Sequence, residues 1–181
     1  MKELSYHILD IANNSVRAKA KHIEIHILED RVHDSISFEI IDDGCGMSEE
    51  MVAAIKNPFI TSRTFRKVGL GIPLLNDTCK NCNGNLSIIS KIGIGTKVLA
   101  QMQLSHIDRP PMGNLVSTIV TLMTSEDGIE YDYVHKVNEK EFHVATSELK
   151  SILGDVPLNM PEVVLWLKEY IQENLQELLM N

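Results

Sequence analysis

The chain has 181 residues, of which 44% are apolar, and a formal net charge of −8. That length suits one domain, or one domain with a substantial extension, and the apolar share supports a real core, which excludes general disorder. No apolar run approaches the ~20 residues of a membrane-spanning helix, the stretch Met1–His7 is too polar for a signal peptide, and the three cysteines Cys45, Cys79 and Cys82 do not form a secreted disulfide framework, so a cytoplasmic protein without membrane contact is expected.

The charge is uneven. Residues 1–104 hold 12 Lys/Arg against 12 Asp/Glu, whereas residues 105–181 hold 5 against 13. An acidic C-terminal region argues against a nucleic-acid surface there, because phosphate contacts need clustered basic residues.

In chain order, residues 3–19 place Leu4, Ile8, Ile11, Ala12 and Ser15 at helical spacing. The segments 22–27 and 35–40 alternate strictly, as half-buried strands do, and the second runs into the turn Asp42-Asp43-Gly44-Cys45-Gly46. Ser48 with Glu49 and Glu50 starts a short helix. Residues 56–68 read as a loop. Gly69-Leu70-Gly71 leads to Ile72-Pro73 and a helix stopping near Asn83-Gly84. Strands over 86–92 and 96–104 flank Gly93-Ile94-Gly95. Tight turns between adjacent strands imply a mostly antiparallel sheet with helices on one face, an α+β two-layer sandwich.

At 106–111 the chain changes character, so a boundary is expected between 1–104 and 105–181. Beyond it the pattern predicts a helix near 113–124, a hairpin over 129–146 turning at Asn138-Glu139, and a last helix over 161–179 with Val164, Leu167, Ile171, Leu175 and Leu178 on one stripe.

Several segments carry chemistry. Asp10, Asn14 and Arg17 project from one face of the first helix. A carboxylate can orient or deprotonate water, an amide oxygen can ligate Mg²⁺, and a guanidinium can pair with phosphate; the same stripe serves equally as a solvated face. Asp42 at a strand end offers an acceptor to an exocyclic amine, or simply starts a turn. Gly69 and Gly71 ahead of a helix suit a phosphate, since free N–H groups and the helix dipole both favour anions. They form neither a P-loop nor a dinucleotide fingerprint, position 74 being Leu. Lys56, Arg63, Arg66 and Lys67 make a basic loop with no acid from Met51 to Asn76, which suits a lid over a triphosphate. Ser90 and Gly93-Ile94-Gly95-Thr96 bridge two strands, and Thr96 can offer a hydroxyl. Cys79-x-x-Cys82 lacks a second pair for a zinc site, and His22 and His26 read as surface residues.

The order of these segments resembles the GHKL superfamily of gyrase, heat-shock chaperone, histidine kinase and MutL. Asp10 to Ala20 is similar to the N box, Asp42-x-Gly44-x-Gly46-Met47 to the G1 box, Thr61-Ser62-Arg63 to the MutL lid triplet, Gly69-Leu70-Gly71 to the G2 box, and Gly93-x-Gly95-Thr96 to the closing turn. The resemblance covers residues 1–104 and implies the Bergerat ATP-binding fold, with ATP and Mg²⁺ as cofactors. It implies that Asn14 ligates Mg²⁺, that Asp42 accepts from the adenine amino group aided by Thr96, that the Gly69–Gly71 amides hold phosphate, and that Arg17 faces it. Gly44, Gly46, Met47, Thr61, Ser62, Lys67 and Leu70 complete the implied ATP site. Asp10 takes the general-base position where hydrolytic members have Glu, one methylene longer.

The implied function is a Mg-dependent ATPase or ATP-driven switch acting on a partner protein. The alternative is a stand-alone protein kinase of the histidine-kinase or anti-sigma type that phosphorylates a separate protein; the N box begins too early for a phosphoacceptor module to precede it. A third reading is an ATP or ADP sensor without catalysis. Residues 105–181 fit a docking or dimerisation module, so a protein partner or a homodimer is expected there, unless the terminal helix packs on its own hairpin.

Overall fold

A computed structural model describes residues 3–55, 70–125 and 128–180. The elements are α1 (Leu4–Arg17), β1 (His22–Asp30), β2 (Ser35–Asp42), α2 (Glu49–Ile55), α3 (Gly71–Asn81), β3 (Asn85–Lys91), β4 (Gly95–Gln103), α4 (Leu115–Ser125), β5 (Glu130–Val137), β6 (Lys140–Ala145), α5 (Thr146–Leu153) and α6 (Pro161–Leu179). Among the described residues the strands form one six-stranded sheet in the order β3-β4-β2-β1-β5-β6.

Period-two patterning decides the sheet's faces. Ile23, Ile25 and Ile27 of β1 are buried, as are Ile36, Phe38 and Ile40 of β2 and Tyr131 and Tyr133 of β5. Register aligns them, Ile25 lying beside Ile40 on one side and Tyr133 on the other. The helices cover this face. α1 seats Leu4, Ile8, Ile11 and Ala12 against it and packs on β2, α3 and α4. It stops at Arg17 because Lys19 turns into left-handed backbone, φ 63°.

Residues 105–181 enter the same sheet. β5 pairs with β1, the one parallel ladder among the described strands, and β6 forms the far edge. The main-chain N–H groups of Leu4 and Ser5 donate to the carbonyls of Pro111 and Met112, both at 2.9 Å. α6 packs on β5, β6 and α4. Its buried stripe is Val163, Leu167, Ile171, Leu175 and Leu178; Val164, expected on that stripe, is half-buried at its edge. Steps of four from 163 to 175 keep the stripe on the sheet, and Val164 falls one position round.

The opposite sheet face is polar. His22 Nε2 lies 2.6 Å from Asp132 Oδ2, His143 Nε2 3.1 Å from Asp132 Oδ1, and His26 Nε2 3.1 Å from Glu24 Oε2. His22 and His26 are thus surface residues with carboxylate partners. Cys79 and Cys82 are free and buried, and burial pushes the Cys79 thiol up to about 12, which leaves it inert as a nucleophile. Among the described residues, no helix is long and apolar enough to cross a membrane.

Candidate nucleotide site

The site is built where the end of α1, the end of β2 and the β3–β4 turn meet. β2 delivers Asp42 at its last position. Gly44 N–H donates to Asp42 Oδ1 at 2.9 Å, and the Ser15 hydroxyl donates to Oδ2 at 2.5 Å. A charged acceptor held at both oxygens has its remaining lone pairs aimed, which is how a short side chain becomes a recognition element.

The turn after β2 is stitched to its surroundings by main chain. Cys45 N–H donates to Ala18 carbonyl at 2.9 Å, and Gly93 N–H to Cys45 carbonyl at 2.8 Å. Two glycines are required here. Gly46 has φ 67°, and a Cβ there would land on the Lys91 carbonyl; Gly95 has φ 140°, and a Cβ there would land on the Asp42 carbonyl. Asp43 anchors the turn to β1 by accepting from Lys21 N–H at 2.7 Å and His22 N–H at 2.9 Å. Burial alone would raise its carboxyl, but these amides outweigh that and hold it below the usual carboxylate range.

Ser90 ties the two turns together. Its hydroxyl accepts from Met47 N–H at 2.8 Å and lies 3.0 Å from the Gly95 carbonyl and 2.8 Å from Thr96 Oγ1. The Ser90–Thr96 bond can run either way, so Thr96 can present either a proton or a lone pair.

These elements enclose a cavity of about 260 Å³. Ile11, Met47, Met51, Ile55, Ile72, Ile88 and Val98 line it, with Asn14, Ser15, Arg17, Asp42 and Thr96 as its polar groups. Apolar walls around a few convergent polar groups suit a flat heteroaromatic ring carrying a donor. At the mouth, Arg17 Nη1 donates to Asn14 Oδ1 at 3.1 Å.

Of the residues singled out in the sequence, Asn14, Arg17, Asp42, Gly46, Met47 and Thr96 line the cavity. Gly44 lies behind it, with no room for a Cβ beside that of Ala18. Asp10 is not in the lining; its carboxylate packs on the first turn of α3, where a Cβ on Gly71 would collide with Oδ2. That Oδ2 is buried without a hydrogen-bond partner among the described residues. Leu70 caps α3 and is exposed. Thr61, Ser62, Lys67 and Gly69, with Lys56, Arg63 and Arg66, lie outside the described residues.

Sequence reading had no role for Ser15 in the site. Its signal was a hydroxyl at a core position of an apolar helix stripe, where only a buried partner makes it tolerable. The apolar contributions of Ile72 and Ile88 carry no such signal, since any core isoleucine looks the same.

The profile of the family described as histidine kinase-, DNA gyrase B-, and HSP90-like ATPase matches residues 2–106. The chain belongs to this family. Its curated relatives include the autoinducer 2 sensor kinase/phosphatase LuxQ of Vibrio cholerae, 22% identical over 111 residues, 57% of this chain and 13% of that protein. The peroxide stress-activated histidine kinase mak2 of Schizosaccharomyces pombe is 31% identical over 40% of this chain and 3% of that protein. The sensor histidine kinase YvrG of Bacillus subtilis is 26% identical over 49% of this chain and 16% of that protein. The matches thus span under a fifth of these relatives' length. Among solved structures, the Aquifex aeolicus MutL ATPase domain complexed with ADP is similar at 14% identity and TM-score 0.48, covering 83% of this chain and 67% of that one. The N-terminal domain of a DNA repair protein is similar at 16% identity and TM-score 0.49, covering 80% and 52%.

Proposed function

We propose that the chain binds Mg-ATP in this cavity and works as an ATPase or ATP-driven switch on a partner protein in the cytoplasm. The observation that carries this is Asp42, locked by Ser15 and Gly44 at one side of an apolar cavity. Asp42 accepts from the adenine amino group, and Thr96 adds a second polar contact through its bond with Ser90. Ile72, Ile88 and Val98 exclude water from the ring.

The residues present fit Mg²⁺: Asn14, in the cavity lining, supplies a hard amide oxygen. When bound, the ion neutralises phosphate charge. Asn14 would hold it, and Arg17, now on Asn14 Oδ1, would turn to the phosphates. The main chain at Gly71 would meet phosphate at the α3 N-terminus. Asp10 would take the proton of an attacking water.

The test is a thermal shift with Mg-ATP. Wild type should gain several degrees, and Asp42→Asn and Asn14→Ala should lose most of that gain; an equal shift in all three removes the cavity as the site. A second reading, γ-phosphate transfer to a separate protein, is favoured by the relatives' names, two of them histidine kinases and the third a sensor kinase/phosphatase. Labelled γ-phosphate appearing on a co-purified protein would select it over hydrolysis.

A further inference from the structure

One stripe of α1 carries four polar side chains, His7, Asp10, Asn14 and Arg17, at helical steps of three, four and three. The proposed site uses the last three. His7 is 1% exposed, and among the described residues neither Nδ1 nor Nε2 has a hydrogen-bond partner. One turn on, Asp10 Oδ2 is buried and equally without a partner among the described residues.

Residues three apart on a helix are surface neighbours, with Cβ atoms about 5–6 Å apart. Helical side chains also lean toward the N-terminus, so the Asp10 carboxylate leans over the turn that carries His7. Gly71 presses on the same carboxylate, leaving no space for a side chain on that flank. A donor and an acceptor, both desolvated and both unpaired, therefore sit on adjacent turns of one face.

We propose that His7 is a positioning residue for Asp10: its neutral imidazole gives an N–H to Asp10 Oδ2 through one bridging water, and leaves Oδ1 to act on the nucleophile. The inference rests on the reading of Asp10 as the base. Burial holds the imidazole uncharged, its pKa down at about 4. A neutral donor orients a carboxylate without the positive charge that would weaken it as a base.

The experiment uses the full chain. Nitrogen NMR of His7 is recorded in wild type and in Asp10→Asn. The His7 ring shifts should move on that substitution, and unchanged shifts overturn the proposal whether or not ATP is hydrolysed. Phosphate release is then measured for His7→Leu, His7→Asn and His7→Gln. His7→Leu should cut kcat about 10-fold with KM within about two-fold, and at least one amide variant should recover part of the loss by restoring an N–H. Equal losses in all three, or a change confined to KM, overturn the proposal. If wild type releases no phosphate, the hydrolytic reading fails by itself, and the NMR comparison still decides whether His7 and Asp10 are coupled.

Discussion

The Oδ2 atom of Asp10 on α1 lies against the α-carbon of Gly71, at the start of α3, so closely that a methyl group there would occupy the oxygen's place. Gly71→Ala must therefore displace the Asp10 carboxylate or shift α3. Overpacking of this kind costs about 1–3 kcal/mol. Thermal melts should show a drop of several degrees, and phosphate release should fall more steeply than ATP affinity. An alanine variant with full activity would mean that Asp10 is not where the chemistry happens.

Ser15→Ala removes one of the two donors that hold Asp42. A hydrogen bond to a charged group contributes about 1.5–3 kcal/mol, so ATP should bind about 10-fold more weakly or worse. Titration calorimetry measures this. Because Ser15 acts through Asp42, the effect should vanish in an Asp42→Asn background.

Two glycines of the β3–β4 turn separate strain from clash. Gly93 has φ 75° and open space where a methyl group would go, whereas at Gly95 a methyl group would strike the Asp42 carbonyl. Gly93→Ala should cost about 1 kcal/mol, from backbone conformation alone. Gly95→Ala should cost more than twice as much and weaken ATP binding as well. Urea melts of the pair, with equal losses, would contradict the close approach.

Acid should destabilise the protein through His7. An unfolded imidazole titrates near its ordinary 6.5, and folded His7 takes its proton only at about 4. Between those values the unfolded chain binds the extra proton, so stability falls as pH falls, by about 2 kcal/mol from pH 7 to pH 5. Glu29 acts lower. Its carboxyl is held below 4.5 mainly by the hydrogen bond from His135, so its contribution is present above that value and lost as pH drops through its folded pKa. In urea melts at pH 7 and pH 5, His7→Leu should lose most of the wild-type difference.

Truncation after Leu104 should not leave a stable domain. β5 pairs along β1 from His22 to Glu29, and its removal turns a central strand into a bare edge. Leu4 and Ser5 would also lose their main-chain acceptors at Pro111 and Met112. A 1–104 fragment should aggregate or melt without cooperativity. A sharp melt at the full chain's temperature would show that the family-matched region stands alone.

Much of this was open to reading because it is local. Alternation in β1 and β2 names their buried faces without reference to partners. The steps of four and three from Asp10 to Arg17 place those side chains on one stripe of any helix. The glycine at 46 announces positive φ, and the α6 stripe is misjudged only by the one position between Val163 and Val164. Periodicity specifies which side of an element is buried to within that margin and no better.

What the sequence alone determined, then, is the elements, their apolar faces and the order of the site's motifs, because these depend on neighbours within a few residues along the chain. Only the tertiary structure decided that β5 runs parallel beside β1, that Ser15 reaches Asp42 from 27 positions away, and that His7 is sealed from solvent. A hydrophobic period says that a face must be covered but not by what, and a polar side chain shows its purpose only once the water around it has been replaced by a particular partner.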